Sequence, residues 1–373
     1  MHTASYPPAK AIAERIIWLI ESSPLAYSGE GSAPKPSATV IEHIISVGFW
    51  ASLLHEEGHA PSITLAYTQP AADALTFEQP LSFDPHVLAH LAPAVERPGI
   101  HLGVWHIEGE LRVWGVTRRL PNWCFVLEVA APGLLVVKYR RPDSVAKLAN
   151  VAVLEGASAK MIEPQSAVIT DAPPAMKPLL EFYASAGGRA SDDVLVRTAI
   201  SMREHGRGGT LLVVPHDTDA WSQSIAKPML YTASPPYSEV DRLLELRREG
   251  DEAEASSEIL SAIHALAGLT AVDGATVVSD RFALFAYGVK IKPGKQGRAL
   301  EKVLITEPIE GSEPQELDPS QLGGTRHLSA SQFVQDRPDS IAMVASQDGR
   351  FTVFVWSQAM GLVHGHRLES LLL

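Results

Sequence analysis

The sequence predicts an α/β protein of two domains, each a mixed β-sheet flanked by helices. Three observations carry that expectation. The chain has 373 residues, more than one hydrophobic core usually organises. In both halves, segments with apolar residues at helical spacing alternate with short, apolar, β-rich runs. Between the halves, residues 158–176 lose periodicity and gather proline. The expected domains are therefore residues 1–165 and 176–373.

In the first half, residues 8–21 place apolar side chains at helical spacing, and a second helical pattern runs over 38–57 until Pro61 stops it. Strands are expected at 63–68, 101–107, 111–117, 123–129 and 134–140, each bounded by proline or glycine. The second half opens with helices at 177–186 and 192–205. After Gly208-Gly209, the run Thr210-Leu211-Leu212-Val213-Val214 reads as a central, fully buried strand. Residues 238–268 are helical, and their mixed-charge stretch 247–258 reads as a solvated face. Strands follow at 276–278, 282–291, 340–345 and 351–356, with helical character at 328–334. A weak echo links Gly103-Val104-Trp105 and residues 111–116 to Ala275-Thr276-Val277 and residues 282–289. Both are strand, polar turn, strand, which is the generic form of a hairpin.

Thirty-one basic and forty-three acidic side chains give a net charge of -12, which repels polyanions and argues against nonspecific nucleic-acid binding. A nucleotide ligand would need local cations and a metal. Cys124 is the single cysteine, so an intrachain disulfide is excluded; its apolar neighbours read as core. Lys10, Glu14 and Arg15 interrupt the first apolar stretch, which argues against a signal peptide, and no run of 18 apolar residues suggests a membrane span. The expected location is the cytoplasm.

The chemistry-bearing residues lie in the last third. Asp273 sits where a helix meets a strand, followed by Gly274 and Ala275. A carboxylate there can hold a divalent metal through hard oxygen ligands, and the two small residues let a nucleotide approach the backbone. Alone, the tripeptide equally reads as a turn. Gly323-Gly324-Thr325-Arg326-His327 leads into a helix, whose free N–H groups form an anion site. Arg326 adds a fork of donors matched to phosphate, Thr325 a hydroxyl, and His327 a phosphate donor or metal ligand. Ser346, in the turn after strand 340–345, can also reach a phosphate. What lifts the set is its order: helix, Asp-Gly-Ala, hairpin, variable loop, Gly-Thr-Arg-His helix start, strand, serine turn, strand.

In that order and in those residues, together with Val196-Arg197-Thr198-Ala199-Ile200 and Gly208 to Val214, the chain from about residue 180 onward resembles the catalytic domain of diadenylate cyclases. The first half resembles, less sharply, a sensor module found ahead of such domains, through Phe49-Trp50-Ala51-Ser52-Leu53, Glu56-Glu57-Gly58, Gly103-Val104-Trp105 and residues 111–115. The resemblance implies the cyclase fold for the second domain and condensation of two ATP molecules into cyclic di-AMP with release of two pyrophosphates. It implies Mg²⁺ or Mn²⁺ as cofactor, with Asp273 and His327 as metal ligands and Asp273, Arg326 and His327 as catalytic residues. Gly274, Ala275, Gly324, Thr325 and Ser346 would bind nucleotide. Each protomer would hold one ATP, so a homodimer with head-to-head cyclase domains, or a larger homo-oligomer containing that dimer, is expected. Two departures stand out: the family usually carries a second basic residue after the histidine, where this chain has Leu328, and paired acids after the serine, where it has Gln347-Asp348.

Other motifs compete. His55-Glu56-Glu57-Gly58-His59 fits H-E-x-x-H, in which two histidines one helical turn apart bind zinc, but Gly58 and Pro61 favour a helix end. His364-Gly365-His366 offers a pair that could chelate a metal, but an isolated pair beside glycine reads as loop. His106, Glu108 and Glu110 alternate along a strand or hairpin, which places them on one face, with solvent exposure as the simpler reason. Lys290, Lys292, Lys295 and Arg298 form a solvated hairpin end or a lure for triphosphate.

Overall fold

The computed structural model describes residues 4–22, 32–97, 99–140, 148–163, 194–248, 252–292 and 299–372. The chain forms an α/β protein with two mixed sheets of eight and nine strands, flanked by helices. Contacts divide it into unit 1, Met1–Glu163, and unit 2, Pro164–Leu372. The helix expected at 177–186, the end of the expected junction, and Lys295 with Arg298 lie outside the described residues.

Unit 1 begins with helices α1 (Pro7–Ser22) and α2 (Ala38–Ser52). Ser37 caps α2 by accepting a hydrogen bond from the Val40 N–H. Strands β1 (Ile63–Tyr67) and β2 (Leu75–Ser82) lead to α3 (Pro85–Val95), capped by Asp84. Six strands follow: β3 (His101–Ile107), β4 (Glu110–Thr117), β5 (Phe125–Ala131), β6 (Leu134–Arg140), β7 (Leu148–Glu155) and β8 (Ser158–Met161). The sheet order is β2-β4-β3-β1-β5-β6-β7-β8, with β1 and β3 parallel. Strand alternation sorts the core. Phe125, Leu127 and Val129 join Ile12, Ile16, Ile41, Ile44 and Leu88 of the helices, whereas Cys124 and Val126 join Ala33, Ala66 and Leu120. Gly103 leaves the space taken by the indole of Trp114, whose N–H donates to the Thr68 carbonyl at 2.7 Å.

Several expectations fail here for identifiable reasons. The second helix ends at Ser52 rather than residue 57. Residues 158–161, expected to lack periodicity, form β8 against β7. β2 escapes sequence reading because it is an edge strand, largely exposed on both faces and containing Pro80, so no alternation marks it. α3 escapes because Pro85 and Pro93 suggest a loop, although a proline at the first helical position costs no hydrogen bond.

Unit 2 contains α4 (Val194–Glu204), the fully buried β9 (Gly209–Val214) and β10 (Tyr231–Tyr237). The long helical stretch is two helices, α5 (Glu239–Arg248) and α6 (Glu252–Leu269). Then come β11 (Ala275–Ser279), β12 (Leu284–Val289), β13 (Val303–Thr306), β14 (Gln315–Leu317), α7 (Thr325–Asp336), β15 (Ile341–Ala345), β16 (Phe351–Ser357) and β17 (Leu362–Arg367). The sheet order β10-β12-β11-β9-β15-β16-β17-β13-β14 puts β9 well inside, as its unbroken apolar run requires. Ala330, Phe333 and Val334 of α7 pack into the core formed with Leu212, Val277, Val344 and Phe354.

The two sheets share a topology that the sequence hinted at only through the hairpin echo. In unit 1, a central strand (β1) pairs parallel with the inner strand of a hairpin (β3–β4) whose outer strand carries an edge strand (β2). On its other side β1 starts an antiparallel meander, β5-β6-β7. In unit 2, β9, β11–β12, β10 and β15-β16-β17 repeat every one of these pairings. The main difference between the hairpin and the meander is an insertion. Unit 1 passes from β4 to β5 by a short connection, whereas unit 2 places β13, β14 and α7 between β12 and β15.

Candidate functional site

Strand register brings the separated motifs to one end of the second sheet. β9 and β11 run parallel with Ala275 opposite Thr210, so Asp273 and Gly274 lie just ahead of the start of β9. β12 runs back with Val289 opposite Ala275, which delivers Lys290 to the same end. β15 ends there too, with Ala345 opposite Gly209 and Ser346 following. The N-terminus of α7 completes the group. Gly324 is its N-cap with extended backbone and no capping side chain, so the helix's first N–H groups have no capping side-chain acceptor.

A cleft of about 160 Å³ results, lined by Thr210, Asp273, Gly274, Ala275, Val289, Lys290, Ile291, Thr325, Arg326 and Ser329. Its floor depends on close backbone contact. Gly274 has φ +116°, and a Cβ there would fall 2.6 Å from the Gly288 carbonyl carbon and 2.7 Å from the Val289 oxygen. Asp273 accepts a hydrogen bond from Lys290 Nζ at 2.5 Å, with side chains 87% and 60% exposed. That bond and the Lys290 charge, with a smaller share from Arg326, hold its carboxyl below the ordinary range, so it is ionised at neutral pH. Arg326 reaches toward the β9–β15 end, where a Cβ on Gly208 would lie 3.1 Å from its Nη1 and 3.2 Å from the Ala345 oxygen.

Of the expected site residues, Asp273, Gly274, Ala275, Thr325 and Arg326 line the cleft, and Gly324 abuts it as the helix cap. His327 and Ser346 do not line it. His327 is 5% exposed, its ring lying edge-on to Phe354 at 6.1 Å and its Nδ1 facing the space beside Gly323. Burial, then the nearby Arg367, push its imidazole below the usual range, which keeps it neutral. Ser346 is half-buried; its N–H donates to the Arg350 carbonyl at 2.9 Å and its carbonyl accepts from Gly349. Thr210 and Ser329 are additions to the set. Both carried a signal: Thr210 follows the Gly208-Gly209 strand start, and Ser329 stands one helical turn after Thr325, donating to its carbonyl at 2.7 Å.

A metal at this point would find one protein carboxylate. Among the described residues, no group of three or more His, Cys, Asp or Glu is placed to hold an ion. One carboxylate is a small part of a cation's shell; Mg²⁺ commonly combines one or two carboxylates with phosphate oxygens and water.

The competing motifs resolve differently from their expectations. His55 to His59 is neither a zinc helix nor a helix end. Glu56 and His59 exchange backbone hydrogen bonds of 3.0 and 2.9 Å around Glu57 and Gly58, both at positive φ, which makes a two-residue hairpin turn. His364 and His366 are buried in β17 rather than in a loop. Thr306 Oγ1 lies 3.1 Å from His364 Nε2 and 2.8 Å from His366 Nδ1, because the pair alternates onto one face. Glu108 and Gly109 form the β3–β4 turn, with positive φ at both, so His106, Glu108 and Glu110 do not share one strand face.

Unit 1 lacks the insertion that carries α7, and comparison with known families speaks to this half of the chain. Residues 30–118 match a family described as a probable sensor domain, DACNV. DACNV is a kind of sensor domain found with diadenylate cyclases, and no cyclase domain is identified. No curated protein matches the chain. Among the described residues, no helix is long and apolar enough to cross a membrane.

Proposed function

We propose that unit 2 binds ATP in the cleft and condenses two ATP molecules into cyclic di-AMP, under control of the DACNV domain in unit 1. The observation that carries this reading is the convergence of Asp273-Gly274-Ala275 and the Thr325-Arg326 helix start on one cleft. Each 3′-hydroxyl attacks the α-phosphorus of the facing nucleotide; a new P–O bond forms, the bond to pyrophosphate breaks, and the hydroxyl proton leaves. Lys290, Arg326, the Thr325 hydroxyl and the open N–H groups of α7 offer charge and donors to the phosphates. Asp273, ionised and at the rim, is suited to orient the attacking hydroxyl and draw its proton. A bound Mg²⁺ or Mn²⁺ would neutralise phosphate charge, with Asp273 as its protein ligand. His327 supports the Gly323-Gly324 turn from beneath, as a positioning residue.

A cleft of about 160 Å³ is smaller than the roughly 300–1,000 Å³ of sites that enclose a whole organic ligand. It accommodates part of a nucleotide and leaves the remainder to a facing copy, which fits a head-to-head dimer. A second reading, nucleotide binding without turnover, draws on Leu328, which is 43% exposed on the first turn of α7 and supplies no charge where cyclases usually carry a basic residue. Calorimetric titration with ATP and Mg²⁺ tests what both share: wild-type protein binds and Arg326→Ala binds more weakly. Equal affinity in the two proteins would remove the cleft from consideration.

A further inference from the structure

Unit 1 holds a second concavity, at the other end of the equivalent sheet. A pocket of about 630 Å³ lies between α2, the β2–α3 junction and the β3–β4 hairpin. All ten of its lining residues fall within 39–112, inside the segment that matches DACNV. Its volume is that of pockets that take whole organic molecules. Phe83, which is buried, together with half-buried Val40 and Leu111 provides an apolar wall.

The polar groups divide unevenly. Asp84 is committed to its own chain, accepting from the N–H groups of His86 and Val87 at 3.0 and 3.1 Å and from the Ser82 hydroxyl. Glu110 is 70% exposed and held by Arg112 at 2.6 Å, a surface pair of the kind that contributes little and exchanges readily. The remaining lining groups can each donate, and Arg112 among them carries a fixed positive charge. Arg112 has five N–H groups, Thr39 a hydroxyl, and His43 and His106 an imidazole each. His43 lies against Phe83, with ring centroids 5.7 Å apart, and His106 meets the Tyr67 hydroxyl through Nδ1 at 3.3 Å, leaving Nε2 for a ligand.

We infer that this pocket is the ligand site of the sensor domain and that its ligand is a small organic anion. A carboxylate or phosphate group displaces Glu110 from Arg112 and is gripped by Arg112, His43, His106 and Thr39. A flat apolar body lies on Phe83 and Leu111. The inference rests on the sensor-domain match and the pocket; it does not depend on ATP turnover by unit 2.

Titration of the full chain with phenyl phosphate, benzoate, inorganic phosphate, acetate and benzylamine tests it. Phenyl phosphate, benzoate or both bind more tightly than inorganic phosphate and acetate, and which aromatic anion wins identifies the head group. Affinity falls about tenfold or more in Arg112→Gln, as expected for loss of a charge-assisted contact, and survives in Arg326→Ala, which separates this pocket from the unit 2 cleft. Melting temperature checks that Arg112→Gln is folded, and His43→Gln, on an exposed helix face, gives an independent loss. Failure of both aromatic anions to bind at millimolar concentration, preference for benzylamine, or affinity unchanged in both Arg112→Gln and His43→Gln would overturn it.

Discussion

Replacing Gly274 by alanine puts a methyl group into the contact on which the cleft floor depends. The new carbon would sit 2.6 Å from the Gly288 carbonyl carbon and 2.7 and 2.9 Å from the Val289 and Gly288 oxygens. All three are backbone atoms of the strand paired with β11, so no side chain can swing aside. Such overpacking costs about 1–3 kcal/mol. The backbone at φ +116° adds strain of about 1–3 kcal/mol for a residue with a Cβ. A total of roughly 2–6 kcal/mol lowers the melting temperature of a unit this size by roughly 5–20 °C. Gly268→Ala is the control: it lies in α6 with open space around the added carbon, and gains up to about 1 kcal/mol of helix propensity. Calorimetric melting of the full chain compares the two. If Gly274→Ala melted with the wild type, the close approach of the Asp273-Gly274-Ala275 segment to β12 would be wrong, and with it the geometry of the cleft.

Three further outcomes follow from the same structure. Asp273→Asn abolishes cyclic di-AMP formation while leaving melting unchanged, because the side chain is 87% exposed; retained turnover would contradict its role. Arg326→Ala weakens ATP binding about tenfold or more, the loss expected for a charge-assisted phosphate contact, and isothermal titration reads it. His101, buried in unit 1, has its imidazole lowered to about 4 by burial and Lys138, against the opposing charge of Glu128. The unfolded chain therefore takes up that proton first, so stability is full above about pH 6.5 and falls by about 3 kcal/mol as pH drops toward 4. Denaturation of His101→Gln beside wild type across that window checks it, and a constant difference between them would refute the assignment.

What could be read from the sequence depended on how each residue's environment writes itself into local pattern. Thr210 to Val214 was legible because a strand buried on both faces must be continuously apolar, and Gly324 to His327 because a helix start without a capping side chain stands out before a periodic stretch. β10 was not legible: it is an exposed edge strand with Pro235 and Pro236, so neither alternation nor propensity marks it. His364 and His366 looked like loop because their meaning lies in Thr306, nearly 60 residues away, which their alternation onto one face brings into reach. Asp273 and Arg326 could be picked out singly, but their shared cleft depends on the register of four strands. Lys290 belonged to a cationic cluster that read equally well as solvated, and only the return of β12 pairs it with Asp273. The repeated sheet topology left almost no trace, since strand order is a long-range property that sequence pattern does not encode. It also sets the two units apart: α7, whose first turn lines the cleft, belongs to the insertion found in unit 2 alone.

Product analysis tests ATP condensation in the unit 2 cleft directly. Purified protein is incubated with ATP and Mg²⁺ or Mn²⁺, and the nucleotides are separated by chromatography. Condensation in the cleft yields cyclic di-AMP, with two pyrophosphates released for each molecule formed. Intact ATP and no cyclic di-AMP with either ion would contradict it.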